Sequence, residues 1–152
     1  MDLGILAPLA GAVGLLVAGI TYFSVVKIKV ENEKVKDIGE QIHLGAMTFL
    51  KAEYKILSIF VVVVTALIAW KLGVETAVAF VSGAVASGIA GFIGMKAATK
   101  ANVRTAAAAA NEGQGAALMV AFKGGSVMGL SVASLGLIGL GRVGSEVAKI
   151  GK

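Results

Sequence analysis

The chain has 152 residues, of which 57% are hydrophobic and 15% charged, with 21 Gly, one Pro and no Cys, and its mean hydropathy is +0.89. Soluble domains carry about 25% charged residues and about 7% Gly, so a soluble globular class is excluded, and so is intrinsic disorder, because this much apolar surface cannot stay in water. The lack of Cys removes disulfide frameworks, thiol nucleophiles and Cys-based metal sites, and the composition reads as an all-α, polytopic bundle of transmembrane helices.

No charged residue occurs from Leu3 to Val26. At about 1.5 Å per residue this is about 36 Å of helix, enough to span a bilayer with some tilt. Pro8 lies in its first turns, where it is tolerated. The segment does not read as a typical secretory signal, since its start carries Asp2 and no Lys or Arg, and no small-x-small cleavage site precedes a soluble domain. Next, Val35, Ile38, Ile42 and Phe49 recur at helical spacing and predict an amphipathic helix leading into a second span at 54–72. Tyr54 and Trp70 stand at its edges as interfacial anchors, and its Val61 to Val64 run without Gly reads as the most lipid-exposed of the spans.

The third span is predicted at 76–95, with Glu75 in a short outer turn. Strong helix formers from Lys96 through Ala106 to Ala110 continue it beyond the lipid, until Asn111, Glu112, Gly113, Gln114 and Gly115 end it as a turn. The fourth span covers 116–141, with Lys123 snorkelling to the headgroups. A transmembrane region of residues 1–141 is thus followed by a short polar tail, 142–152.

Lys and Arg accumulate on the segments retained in the cytoplasm. Lys27, Lys29, Lys34, Lys36, Lys51, Lys55, Lys96, Lys100, Arg104 and Lys123 fall on one side, and Lys71, Arg142, Lys149 and Lys152 on the other. Both termini are therefore predicted outside. This bias accounts for the net charge of +5 and implies lipid and no nucleic acid as partner.

Inside lipid, apolar burial does not drive helices together, so small residues that let backbones approach become informative. Gly83, Ser87 and Gly91 repeat at four residues on the third helix, Gly125, Gly129 and Ala133 on the fourth, and Ala10, Gly14 and Ala18 on the first. They read as packing stripes, with a sliding or gating role as the alternative.

No carboxylate lies within the spans, although cation pumps usually place one there. Glu53, between Lys51 and Lys55, reads as an interfacial ion pair. His43, the only His, reads as interfacial or solvated, which leaves a His metal site or a triad without material. Lys96, Lys100 and Arg104 form one cationic stripe at i, i+4 and i+8: a positive flank on anionic lipid, or a feature that attracts phosphate-bearing ligands. Gly139, Gly141 and Gly144 spell G-x-G-x-x-G, but a dinucleotide fingerprint requires a βαβ unit and an acidic residue about 20 positions later. The nine acidic residues are scattered, whereas a site for divalent metal clusters them. No catalytic residue, metal ligand or bound cofactor is assigned to this chain.

Three stretches carry a resemblance: Gly45-Ala-Met-Thr-Phe-Leu-Lys-Ala-Glu-Tyr-Lys55, Gly94-Met-Lys-Ala-Ala-Thr-Lys-Ala-Asn-Val-Arg-Thr105 and Gly124-Gly-Ser-Val-Met-Gly-Leu-Ser131. In sequence, order and spacing the chain resembles the membrane-integral pyrophosphatases, which couple pyrophosphate hydrolysis to pumping of H⁺ or Na⁺. The resemblance covers residues 1 to 141 and implies an outside N-terminus, in agreement with the charge bias. It places the chain on the first four of the family's sixteen helices, in the outer ring. The Asp-rich motifs for Mg²⁺ and pyrophosphate, the catalytic Lys and the ion-gate carboxylate of the family lie further along. The expected function is a fragment of a pyrophosphate-energised cation pump, supplying outer helices without a complete active site, with Mg²⁺ implied for the complete protein and a homodimer as its assembly. Arg142, Glu146 and Lys149 interrupt the apolar continuation expected of the fourth helix and read as a truncated or frame-shifted product, or a segment of a split protein. The alternative is a self-standing small membrane scaffold that oligomerises through its Gly-rich faces. Either is an integral, multi-pass protein, of the cell membrane in a prokaryote.

Overall fold

In a computed structural model the backbone is described over residues 3–150 and the side chains over 6–139. Four helices follow one another: α1 (Leu3–Val26), α2 (Glu33–Leu72), α3 (Val74–Asn111) and α4 (Gln114–Ile150). All four are long and apolar enough to cross a membrane, and no strand occurs among the described residues. The connections are short because the sequence supplies each stop. Asn32 caps α2, its Oδ1 accepting from the N–H of Lys34 at 3.0 Å and of Val35 at 3.3 Å. Gly73 alone joins α2 to α3 at φ 95°, and Gly113 turns α3 into α4 at φ 89°, left-handed backbone that L side chains resist.

The two central helices have a length of their own. α2 has 40 residues and α3 has 38, about 60 and 57 Å of helix against a hydrocarbon core of about 30 Å. Each therefore projects well past the lipid, as the helical continuation of the third span anticipates. Glu75 is not in a turn but in the first turn of α3, where the positive end of the helix dipole favours a carboxylate. The backbone of α4 runs on to Ile150, so the 142–152 tail predicted after the fourth span continues that helix in its backbone; residues 151 and 152 lie outside the described residues.

Packing runs α1 on α4, α4 on α3 and α3 on α2, with a lesser contact of α1 with α3. The helix α2 therefore touches only α3 among the described residues, and none of its most apolar window is buried. This is the exposure its Gly-free Val run predicts. The contacts follow the 3.6-residue period. Among the described residues the buried positions on α4 are Ala117, Val120, Gly124, Val127, Ser131 and Ser134; on α3 they include Ala90, Gly94, Ala97, Ala101 and Ala108; on α1 they are Gly11, Ala18 and Val25. Val25, Ala101, Ala108 and Val120 form the central cluster. Steps of three and four alternate along these faces and hold one direction. A strict step of four rotates by about 40° each time and winds off the face.

The predicted stripes on α3 and α4 accordingly fall largely elsewhere, whereas Ala18 of the α1 stripe is buried. Gly83 and Ser87 are exposed on α3, Gly125, Gly129 and Ala133 are exposed on α4, and Ala10 is exposed on α1. Gly91 meets the Tyr54 hydroxyl, and Gly14 meets Ser134. At the start of α2, which is helical as predicted, Val35 is half-buried and Ile38, Ile42 and Phe49 are exposed, while Gly39 and Leu50 are buried. Gly39 comes against the Val103 side chain of α3, an approach that the larger residues of the predicted face would prevent.

Candidate functional site: a basic groove at one end of the bundle

Two polar ties fix α2 to α3. Tyr54, predicted as an interfacial anchor, instead turns inward and donates its hydroxyl proton to the Gly88 carbonyl. His43, predicted as interfacial or solvated, is half-buried, with Nδ1 2.7 Å from Thr99 Oγ1. The Thr99 hydroxyl donates to Met95 O at 3.0 Å, which leaves its lone pairs to the His43 Nδ1–H. Burial, and then Lys100 and Lys96 of α3, hold the His43 pKa below its ordinary value.

A third tie fixes α1 to α3. The last carbonyls of a helix lack intrahelical partners, and Val26 is the last residue of α1. Arg104 supplies the missing donors, Nη2 at 2.8 Å and Nε at 3.2 Å from Val26 O, while its Nη1 donates to Lys100 O at 2.8 Å. The cation also sits at the negative end of the α1 dipole. Burial lowers the Arg104 pKa, though a guanidinium stays charged at any physiological pH.

Between these ties, the α1–α2 connection, the start of α2 and the C-terminal half of α3 enclose a groove of about 410 Å³. Lys27, Lys29, Lys36, Lys100 and Arg104 line it, with Glu31 and Glu40. Thus Lys100 and Arg104 of the sequence-predicted stripe meet in one groove, while Lys96 lies outside it, its Nζ 6.0 Å from the centroid of the Phe92 ring. Sequence reasoning missed Lys27, Lys29 and Lys36 as partners of α3. Their only signal is a run of Lys directly after an apolar span, and nothing local says that α3 stands opposite. Glu53, Lys51 and Lys55 are exposed on α2, away from the groove.

Among the described residues no three His, Cys, Asp or Glu side chains are placed to hold a metal ion. The groove's two carboxylates stand among five cations, a donor set that repels a divalent metal. The G-x-G-x-x-G at 139–144 lies within the continuous backbone of α4; it has no strand and turn before it, as a dinucleotide site demands.

Four membrane-length helices make the chain an integral, multi-pass membrane protein. Residues 12–149 match the family described as inorganic H⁺ pyrophosphatase, and the chain belongs to that family. Among curated relatives, it is 48% identical over 122 residues to a Clostridium tetani protein provisionally named a K(+)-stimulated pyrophosphate-energized sodium pump, covering 80% of this chain and 18% of that protein. It is 41% identical over 135 residues to the K(+)-insensitive pyrophosphate-energized proton pump of Methanosarcina mazei, covering 88% and 20%. It is 43% identical over 129 residues to the K(+)-stimulated pyrophosphate-energized sodium pump of Thermotoga maritima, covering 84% and 18%. The chain therefore spans about a fifth of the length of these relatives.

Proposed function

We propose that this chain supplies outer helices to a pyrophosphate-energised pump for H⁺ or Na⁺, with both termini outside and the basic groove on the cytoplasmic face. The observation that carries the reading is the family match along residues 12–149, set against the small share of each relative that the chain covers. Hydrolysis of pyrophosphate needs Mg²⁺ held by clustered carboxylates, and the acids of this chain are scattered. In this reading those carboxylates stand on other segments, and the part played here is architectural: α1, α3 and α4 brace one another while α2 clasps α3 from outside.

The exposed small faces support a further contact. Gly125, Gly129 and Ala133 on α4, and Gly83 and Ser87 on α3, let another helix approach closely. In the pump reading that helix belongs to the remaining pump; in the scaffold reading it belongs to a second copy of this chain. Crosslinking from a Gly129→Cys variant in native membranes separates them, self-contacts alone favouring the scaffold.

The test of the pump reading is chemical. Purified chain in proteoliposomes, free of any full-length pump, should release no phosphate from pyrophosphate with Mg²⁺ above the empty-liposome rate. Sustained hydrolysis would overturn the architectural assignment.

A further inference from the structure

We propose that the basic groove between the α1–α2 connection and α3 binds a phosphate group, and that in a membrane this group is the headgroup phosphate of an anionic phospholipid. The volume of about 410 Å³ falls in the range of small-ligand sites. Its walls bring cations from two distant parts of the sequence to one opening: Lys27, Lys29 and Lys36 from one side, Lys100 and Arg104 from the other, against Glu31 and Glu40 alone. The division of labour among them follows from their hydrogen bonds. Arg104 donates to the Val26 and Lys100 carbonyls and so holds the wall in place. The lysines are the ligands, since an ammonium on a flexible stem meets phosphate oxygens as a mobile point charge with three donors.

Height favours a lipid. The groove opens where the charge-free length of α1 ends, at Val26 and Lys27, and Lys100 lies about 6 Å along α3 from Lys96, the residue that closes the apolar run of that helix. This is headgroup depth, given about 5 to 8 Å of polar layer on each side of the hydrocarbon. The Lys27 N–H still bonds to Phe23 O at 3.1 Å, so Phe23 lies one turn below Lys27 on the same side of α1. Phe23 is 64% exposed and Ile20, a further turn down, 70%. A lipid whose phosphate enters the groove at Lys27 thus has exposed apolar side chains of α1 one and two turns toward the hydrocarbon for its acyl chains.

The inference does not depend on the pump reading. It requires only that the chain sits in a membrane, and it separates from the general attraction of a basic flank for anionic lipid by location. The experiment compares two triple variants of equal charge. Lys29→Gln, Lys36→Gln and Lys100→Gln remove three of the groove's four lysines and leave Lys27 and the Arg104 clamp; Lys51→Gln, Lys55→Gln and Lys96→Gln remove the same charge outside it. Each is solubilised from mixed phosphatidylglycerol and phosphatidylcholine vesicles, its helix content is matched to wild type by circular dichroism, and the retained phosphatidylglycerol is counted by native mass spectrometry. The groove triple should retain about tenfold less than wild type and the outer triple about the same as wild type. In a second arm, inorganic phosphate and then pyrophosphate are titrated calorimetrically into each protein in phosphatidylcholine alone. Binding there that the groove triple loses, without selective phosphatidylglycerol retention, keeps the groove as a phosphate site and assigns it to a free anion. Equal losses in both triples, or no groove-dependent binding in either arm, overturn the proposal.

Discussion

On α4, Gly124, Val127, Ser131 and Ser134 are buried, while Gly125, Gly129 and Ala133, each one or two residues away, are exposed. Both sets are small residues at helical spacing, and both fit the pattern of membrane packing. What separates them is a rotation of the helix by roughly 100° per residue. A Cβ added at Gly124 would run into the Ala101 side chain of α3; one added at Gly125 or Gly129 would meet nothing within 4 Å. The comparison teaches that smallness becomes a packing requirement only where a neighbouring backbone is in place, so the two faces should respond to the same mutation in opposite ways.

The largest effect is expected from filling the buried face. Gly124→Leu, and Gly11→Val, whose Cβ would stand 2.6 Å from the Ser134 carbonyl oxygen of α4, should each destabilise the bundle by about 3 kcal/mol. Denaturant-induced unfolding in detergent measures this, and a loss no larger than that of Gly125→Leu would break the distinction between the faces. Next comes the clamp between α1 and α3. Arg104→Gln strands the Val26 carbonyl and should cost about 1 to 3 kcal/mol. Arg104→Lys should recover only part of this in the same assay, because a point charge cannot reproduce the forked contact to Val26.

A smaller effect, of opposite sign, is expected on the exposed face. Gly129→Ala should stabilise the isolated chain by up to about 1 kcal/mol through helix propensity alone. If a further helix packs there in a larger assembly, the same substitution should weaken that assembly, which crosslinking yield reports. The smallest effect concerns the tie from α2. His43 has a folded-state pKa below its ordinary value, with Lys96 and Lys100 of α3 facing it. The unfolded chain therefore binds its proton first as pH falls, so the stability contributed by neutral His43 is complete above about pH 6.5 and is lost as pH drops through the folded-state pKa. Melting curves between neutral and mildly acidic pH should show a modest decline that His43→Gln abolishes.

The helices themselves were legible in the sequence. The charge-free runs and the turn at 111–115 follow from local rules, and those rules hold because hydrocarbon forces every spanning backbone to satisfy its own hydrogen bonds. The directions of the helix faces were not. Val35, Ile38, Ile42 and Phe49 predicted an amphipathic start to α2 but not which side meets α3; that side carries Gly39, His43 and Leu50, because Gly39 admits the Val103 side chain and in lipid apolar side chains need no burial. Tyr54 pointed to an interface and turned inward to Gly88. Of the groove, Lys100 and Arg104 could be picked out as a cationic pair, but their partners across the opening could not.

By itself the sequence determined that this is a membrane protein of four helices and where each begins and ends to within a few residues, since these depend on composition and near-neighbour spacing. The end of α4 is the exception, running nine residues past the predicted 141. Three matched stretches carried the family resemblance. Tertiary structure alone decided which small residues pack, that Arg104 closes the end of α1, and that lysines far apart in the chain share one groove. Those outcomes depend on the rotation and height of one helix against another, and a shift of a single residue in register turns a side chain by about 100°.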